Sequence, residues 1–155
     1  MSTDMFEDLR VISDAIALAN RGKREESMKR LEGHEFGPES KPLALIQKAR
    51  LLEESDTEQC SQVYRDALEK YPNDPAVHLR AGVFVFKRGD TERARQLLLR
   101  SWNRSKTPEA GYYLGAINRS EARPEHALSF FTQTAVIEGD EGYWRNRAVK
   151  EARLG

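Results

Sequence analysis

The chain has 155 residues, 39% of them apolar and 32% charged, which is enough apolar material for the core of one domain. Its 25 basic and 25 acidic residues balance, so no net charge attracts it to nucleic acid or to a membrane surface. With Cys60 as its one cysteine, an intramolecular disulfide is excluded and a reducing compartment is favoured.

The N-terminal residues, MSTDMFEDLR, are acidic and lack the basic start and apolar run of a signal peptide. No stretch approaches the roughly 18 apolar residues that a membrane-spanning helix needs. We therefore expect a soluble protein of the cytoplasm that has no membrane partner.

The first predicted element is an amphipathic helix over residues 5–19. Its apolar residues recur every three or four positions and form one stripe: Phe6, Leu9, Ile12 and Ile16. This stripe is a candidate contact for a second copy of the chain. A homodimer through the N-terminal helix is therefore one prediction.

The chain then repeats itself with a period of 33 to 34 residues. Pro42, Pro75 and Pro108 are spaced by 33 residues, and a small residue follows each of them seven positions later. These small residues belong to a longer series with the same spacing: Ala15, Ala49, Gly82, Gly115 and Ala148. Several features that share one period indicate a repeat array.

Each unit of the array is predicted to form two helices. Proline opens the first helix, because position N1 needs no N–H and proline already has a helical φ. In the turn that follows, Gly89 lets the chain reverse and Asp56 or Asp90 can cap the second helix.

The segment GVFVF, residues 82–86, has the composition of a strand, but its place in the repeat predicts helix. Cys60 stands where a small buried residue is expected, which favours a structural role over that of a nucleophile.

This pattern resembles the tetratricopeptide repeat family, whose helix pairs carry small, large apolar and proline residues at fixed positions. The third and fourth units supply the residues that match best: Gly82, Gly89, Ala94 and Leu98, then Leu114, Gly115, Ala127 and Phe131. The resemblance implies an all-α fold, a right-handed superhelical array of antiparallel helix pairs in a single domain over residues 1–155. Four repeats would span residues 8–41, 42–74, 75–107 and 108–140, followed by a capping helix over 141–154.

The resemblance also implies a binding surface, because in this family the first helices line a concave face that binds an extended or helical peptide. It places nine residues of this chain in the peptide-binding groove: Ile46, Arg50, Leu79, Val83, Phe86, Lys87, Tyr112, Ala116 and Arg119. Leu79, Val83, Phe86 and Tyr112 would form an apolar strip that faces water, and such strips usually mark binding. The alternative is that Leu79 and Phe86 pack against neighbouring helices.

No motif in the sequence predicts catalysis. His34, His78 and His126 are dispersed and form no metal-binding set with Cys60. The pairs of acidic residues are typical of solvated helix surface, and there is no glycine-rich phosphate loop. The Lys, Asn and Arg set with which some family members hold a C-terminal carboxylate is incomplete. We expect no enzyme, no catalytic residue, no cofactor and no bound metal.

These features together predict a protein–protein interaction scaffold or adaptor that binds a peptide or helix of another protein. A chaperone or assembly factor is the more specific form of this hypothesis. The alternative is an RNA-binding helical repeat, because residues 78–106 hold eight basic residues and two acidic ones. Aromatic residues do not alternate with these charges, and the acidic segment 51–75 adjoins them, so nucleic acid is the weaker hypothesis.

Overall fold

The computed structural model describes residues 4–138 and 142–154, and all the regular elements in those ranges are α-helices. In chain order they are α1 (Met5–Asn20), α2 (Arg24–Glu32), α3 (Lys41–Leu52), α4 (Thr57–Lys70), α5 (Pro75–Lys87), α6 (Thr91–Arg104), α7 (Pro108–Ser120), α8 (Pro124–Glu138) and α9 (Tyr143–Leu154). The all-α prediction is confirmed, and α1 and α3 begin at Met5 and Lys41, before the predicted repeat starts at residues 8 and 42.

The second helices begin where the sequence predicts their caps. The carboxylate of Asp56 accepts a hydrogen bond from the Gln59 N–H at 3.0 Å, at the start of α4. Asp90 does the same for the Arg93 N–H at 3.1 Å, at the start of α6. Each carboxylate satisfies a backbone donor that has no partner inside its helix, which fixes the first turn.

The turns before α2, α6 and α8 each contain a residue with a positive φ two positions before the helix begins, whereas the turn before α4 contains none. Gly22 and Gly89 have positive φ angles of 78° and 90°, a conformation that glycine adopts without a steric penalty. Ala122 takes the equivalent place before α8 with a φ of 56°, where its Cβ is strained. The segment 82–86 lies inside α5, so its position in the repeat outweighs its strand-like composition.

The contacts of the chain divide it into two compact units, unit 1 (Met1–Val77) and unit 2 (His78–Gly155). The core of unit 1 forms where α1, α2 and α3 meet, with Val11, Ala15 and Leu31 fully buried. The Ser27 hydroxyl donates a hydrogen bond to the Ala15 carbonyl at 2.6 Å, so this polar side chain is satisfied inside the core.

In unit 2 the core depends on small residues that face large ones. A Cβ added to Gly82 would lie 2.8 Å from Leu98 Cγ, and one added to Gly115 would lie 2.5 Å from the ring of Phe131. Glycine at these two positions therefore lets paired helices approach more closely than any other residue would allow.

The last helix, α9, packs on α7 and α8, as expected of a capping helix. Ala148 is fully buried there, and Trp144 stacks on Tyr112 with ring centroids 5.3 Å apart. Two partly exposed charged residues of α9, Arg147 and Glu151, also contact α7. The guanidinium of Arg147 lies 4.6 Å from the centre of the Tyr112 ring, and Glu151 forms an ion pair with a residue of α7.

Candidate protein-binding surfaces

The predicted apolar strip of unit 2 does not face water. Leu79, Val83 and Tyr112 are only 9%, 5% and 5% exposed, so the expectation of a water-facing strip is wrong for these three residues. Leu79 and Val83 belong to the core cluster that contains Leu98 and Leu114. Packing against other apolar side chains removes their surface from water, which is worth about 1.5–3 kcal/mol for each such residue.

Three other predicted groove residues of unit 2 lie nearer the surface. Phe86 is half-buried and packs edge-to-face on Tyr113, with ring centroids 6.0 Å apart. Lys87 is exposed and Ala116 is half-buried. The alternative that Phe86 packs against a neighbouring helix therefore matches its position better than full exposure does.

Arg119, the last predicted groove residue, connects two helices. Its guanidinium forms an ion pair with the Glu151 carboxylate and donates a hydrogen bond to the Glu151 carbonyl at 3.2 Å. The side chains of both residues are about one-third exposed, at 35% and 32%. Arg119 thus ties α7 to α9 in this structure, and its role in peptide binding stays a prediction.

In unit 1 the structure separates the two predicted groove residues. Ile46 is buried in a cluster with Ala67 and Val77, so it contributes to the core. Arg50 is exposed and lines a cavity of about 220 Å³ at the C-terminal ends of α1 and α3. Of the pair, Arg50 is the residue that a partner could reach.

Residues of α1, α2 and α3 form this cavity, which we call the α1–α3 cavity. Its lining consists of Ile16, Ala19, Asn20, Arg24, Gln47, Arg50 and Leu51. Arg24 is neutralised by Glu54 at 2.8 Å, whereas no ion pair of Arg50 is found among the described residues. The cavity therefore combines an apolar wall from α1 with one accessible positive charge.

The apolar stripe of the N-terminal helix is accessible in part. Phe6 is 82% exposed, Leu9 is 45% exposed and Ile16 is 40% exposed, whereas Ile12 is buried in the core. Leu43 on α3, which contacts α1, is also exposed, at 41%. Unit 1 therefore presents several large apolar side chains on its first helices.

Sequence reasoning missed a buried polar network centred on Asp8, whose side chain is 2% exposed. Its carboxylate accepts hydrogen bonds from His34 Nε2 at 2.8 Å and from the Gly37 N–H at 3.1 Å. Burial by itself would raise the pKa of Asp8, but these hydrogen bonds outweigh it, so the pKa is lowered from its ordinary value.

The geometry of the Asp8 network indicates a structural role and not a catalytic one. Ser40 donates to Asp8 as well, so both hydroxyl and imidazole converge on the carboxylate instead of forming a nucleophile–base pair. The network holds the connection between α2 and α3 against α1. Its sequence signal is an acidic residue at helical spacing from the core residues Val11 and Ala15.

Metal ligation and membrane insertion find no support in the described part of the chain. Within residues 4–138 and 142–154, no group of three or more His, Cys, Asp or Glu side chains could hold a metal ion. In the same ranges, no helix has the length and apolar character needed to cross a membrane.

Comparison with known proteins supports the fold. A family model of the tetratricopeptide repeat matches residues 51–115, and no curated protein matches the sequence. PilF of Pseudomonas aeruginosa is 18% identical with a TM-score of 0.74, over 95% of this chain and 69% of that one. A tetratricopeptide repeat protein of Thermus thermophilus is 16% identical with a TM-score of 0.60, over 96% of this chain and 100% of that one.

A third similar structure comes from another bacterium. MamA of Desulfovibrio magneticus RS-1 is 16% identical with a TM-score of 0.66, over 99% of this chain and 90% of that one. At these identities the likeness concerns the fold, and the family model supplies the sequence match. Residues 51–115 therefore carry the sequence match to the tetratricopeptide repeat, and the described residues share the all-α helical-repeat fold of these similar structures.

Proposed function

We propose that this protein is an interaction scaffold that binds a peptide or helix of a partner protein on the first helices of unit 1. Tetratricopeptide repeat proteins are generally non-enzymatic scaffolds, so the family favours this class of function. The observation that carries the proposal is the α1–α3 cavity, where the exposed Ile16 and the exposed Arg50 line one depression.

The size of the cavity suits a side chain of a partner better than a small-molecule substrate. Its volume of about 220 Å³ is below the roughly 300–1,000 Å³ that is typical of ligand pockets. A peptide would insert one or two residues there and lie against the exposed side chains of Leu9 and Leu43. Exposed apolar side chains grouped in this way are typical of interaction surfaces.

The positive charge of Arg50 determines which peptides this surface would bind most tightly. An exposed guanidinium beside an apolar wall favours a segment that carries an acidic side chain next to an apolar one. Since exposed charges steer association and set orientation more than they add affinity, apolar contact with Ile16 supplies most of the binding free energy.

The test begins with affinity capture from the native cell and identification of the partner by mass spectrometry. The purified partner is then titrated against the wild-type chain, Ile16→Glu and Ala17→Glu. Both positions are exposed and adjacent on α1, but Ala17 does not line the cavity. We expect Ile16→Glu to weaken binding at least tenfold and Ala17→Glu to leave it nearly unchanged. Equal affinity of the two variants would contradict the assignment.

A chaperone or assembly role is the finer form of this proposal. Such a role requires that the partner be less soluble without the scaffold than with it. Coexpression of the identified partner with the wild-type chain or with Ile16→Glu measures this directly. The cytoplasmic location belongs to the same set of predictions.

RNA binding by the third repeat is the alternative function. Arg93 and Arg100 are exposed on α6, whereas Arg95 is already engaged by Glu92 and Glu121. The face therefore offers fewer accessible charges than the sequence suggests. Salt-dependent retention on RNA that Arg93→Glu and Arg100→Glu abolish would support this alternative, and no retention at low salt would remove it.

A homodimer through α1 is a further possibility for the exposed side chains of Phe6 and Leu9. Light scattering over a concentration series measures it, with Phe6→Glu as the disrupting variant. A molecular mass that stays monomeric at high protein concentration would contradict the homodimer and favour a different protein as the partner of α1.

A further inference from the structure

A second apolar groove lies in unit 2, between α8 and α9. It contains two cavities of about 270 Å³ and 140 Å³ that share Phe131 and Ala152 in their lining. Leu128, Thr132 and Ala135 of α8 and Val149 of α9 complete most of the wall. We call this surface the α8–α9 groove.

The preceding groove of the same unit shows what kind of element fits such a surface. There α6 and α7 receive the next second helix, α8. Phe130 of α8 packs edge-to-face on Trp102 of α6, with ring centroids 5.8 Å apart, and Phe131 lies directly over Gly115 of α7. A second helix thus fills the groove by placing large side chains over small ones.

One repeat period further on, the equivalent positions are again suited to a helix. Ala135 and Ala148 stand 33 residues after Trp102 and Gly115. Both are small, so they leave space where a large apolar side chain could pack. None of the residues in 4–138 and 142–154 occupies this space, and the cavities remain open along the groove.

The outer side of α8 is also unlike that of a solvated helix. Residues 126–137 contain no acidic or basic residue apart from His126. Leu128 is 54% exposed and Val136 is 77% exposed. Leaving this much apolar surface in water costs free energy that contact with a further helix would recover.

We propose that the α8–α9 groove binds an acidic amphipathic helix of another protein, in the place that a further second helix of the array would take. The four second helices of this chain define the chemistry of the apolar face. Each carries a small residue four positions before a large one: Ser27 and Leu31, Cys60 and Tyr64, Ala94 and Leu98, Ala127 and Phe131.

The acidic character follows from α9, which forms one wall. Of its four basic residues, Arg147 lies over the Tyr112 ring of α7, and its one acidic residue, Glu151, is neutralised by Arg119. Arg153 lines the larger cavity directly. A helix with acidic residues at the edges of its apolar face would therefore pair with this wall.

A helix fits this surface better than a lipid bilayer or a second copy of the chain. The groove is a depression with Thr132 in its lining, whereas a helix that lies on a membrane inserts a projecting apolar face into the headgroup region. Two copies meeting through this groove would bring their basic α9 helices together. Both occupants are nevertheless measured in the test.

The probe is a synthetic peptide with the sequence of α4, residues 56–70, capped at both ends and with Cys60→Ala. This second helix of the chain carries more acidic than basic residues and places Tyr64 four positions after the small residue. Labelled peptide is titrated against the full chain and followed by fluorescence anisotropy. A short isolated helix pays for folding on binding, so we expect a Kd on the order of 100 μM.

Variants of α8 locate the binding site. Thr132→Glu puts a negative charge inside the groove, whereas Gln133→Glu puts the same charge on the adjacent exposed position outside it. We expect the first to weaken peptide binding at least tenfold and the second to change it less than twofold. Circular dichroism and thermal melting confirm that both variants fold. The control peptide, Tyr64→Glu, should bind at least tenfold more weakly to the wild-type chain.

Four results would overturn the proposal. One is no binding of the probe at about 1 mM, and another is equal binding by Thr132→Glu and Gln133→Glu. A third is a wild-type dimer in sedimentation that Thr132→Glu dissociates, because a second copy would then occupy the groove. The fourth is binding to vesicles of phosphatidylserine and phosphatidylcholine that Thr132→Glu abolishes. The Ile16→Glu variant of unit 1 should bind the probe normally, so this test is independent of the proposed function.

Discussion

The helices α6 and α8 are equivalent second helices of unit 2, and their inner faces are nearly interchangeable. Ala94 and Ala127 are both buried at the same register position. Leu98 and Phe131 follow four residues later, and each packs over a glycine of the paired first helix. The repeat therefore constrains the side of the helix that meets the core.

Their outer faces differ in kind. Arg95 and Arg100 of α6 correspond to Leu128 and Gln133 of α8, one period of 33 residues later. The first face is charged, and its Arg95 is paired with Glu121; the second is uncharged and its leucine is exposed. The equivalent position therefore carries an ion pair within the fold in one repeat and an exposed apolar side chain in the next. The inner faces of the two helices therefore follow the repeat, whereas their outer faces vary.

The largest effect should come from filling the close contacts of the inner faces. At Gly115→Ala the new Cβ would lie 2.5–2.9 Å from three atoms of the rigid Phe131 ring. We expect a loss of about 2 kcal/mol in the free energy of unfolding, because overpacking outweighs the gain in helix propensity. Urea denaturation followed by tryptophan fluorescence measures it, since both tryptophans, Trp102 and Trp144, lie in unit 2.

Gly82→Ala is the matched change under α6. Its Cβ would lie 2.8 Å from Leu98 Cγ and 3.1 Å from Leu98 Cδ2, so this overlap is smaller than the one at Gly115. We expect a loss of about 1 kcal/mol or less. A larger loss of stability at Gly82 than at Gly115 would contradict the contact distances of the structure, which make Gly115 the tighter of the two positions.

Exchanging the outer residues tests the other half of the comparison. Arg95→Leu gives α6 the residue of α8 and leaves the half-buried Glu121 without its cation, which should cost about 1–2 kcal/mol. Leu128→Arg gives α8 the residue of α6 at an exposed site and should change stability by less than about 0.5 kcal/mol. Thermal melting of both variants measures the difference. Equal losses would mean that Leu128 packs against the fold.

The fold was predictable because the same local features occur in several repeats at the same spacing. The small residues of the series, the caps at Asp56 and Asp90 and the helical state of residues 82–86 all depend on positions close in sequence. Each of them recurs at a fixed spacing, so one ambiguous unit can be interpreted from its neighbours.

The candidate surfaces were less predictable, for two physical reasons. Helix α5 is apolar on most sides, so spacing alone cannot tell which of Leu79 and Val83 meets the core, and both do. The contact between Asp8 and His34 joins residues 26 positions apart, and no period relates them. The exposed face of α8 was visible as an uncharged run, but its accessibility depends on the position of α9.

The turns that precede α6 and α8 extend the comparison to the backbone. Gly89 and Ala122 are equivalent and both have positive φ, but alanine is strained there. Ala122→Gly should stabilise unit 2 by about 0.5 kcal/mol, while Gly89→Ala should destabilise it by about 1 kcal/mol. Urea denaturation followed by tryptophan fluorescence checks both signs. A destabilising Ala122→Gly would mean that the entropy of the unfolded chain outweighs the strain at this turn.

The smallest expected effect is a loss of stability in acid that belongs to unit 1, so it also sets the conditions for comparing α6 with α8. The pKa of Asp8 is lowered from its ordinary value of 3.8 by hydrogen bonds that exist only in the folded state. Its contribution to stability is therefore complete above that value and is lost as the pH falls through the lower folded-state pKa.

Urea denaturation at pH values from about 6 down to about 2, followed by far-ultraviolet circular dichroism, measures this loss for the wild type and for Asp8→Asn. The amide at position 8 does not titrate, so the variant should be less stable at neutral pH and should lose less stability in acid. Tryptophan emission reports unit 2 in the same samples. If both proteins lost stability in parallel below about pH 4, Asp8 would not be the titrating group. The exchanges between α6 and α8 are therefore best measured above this interval, where the protonation of unit 1 does not change.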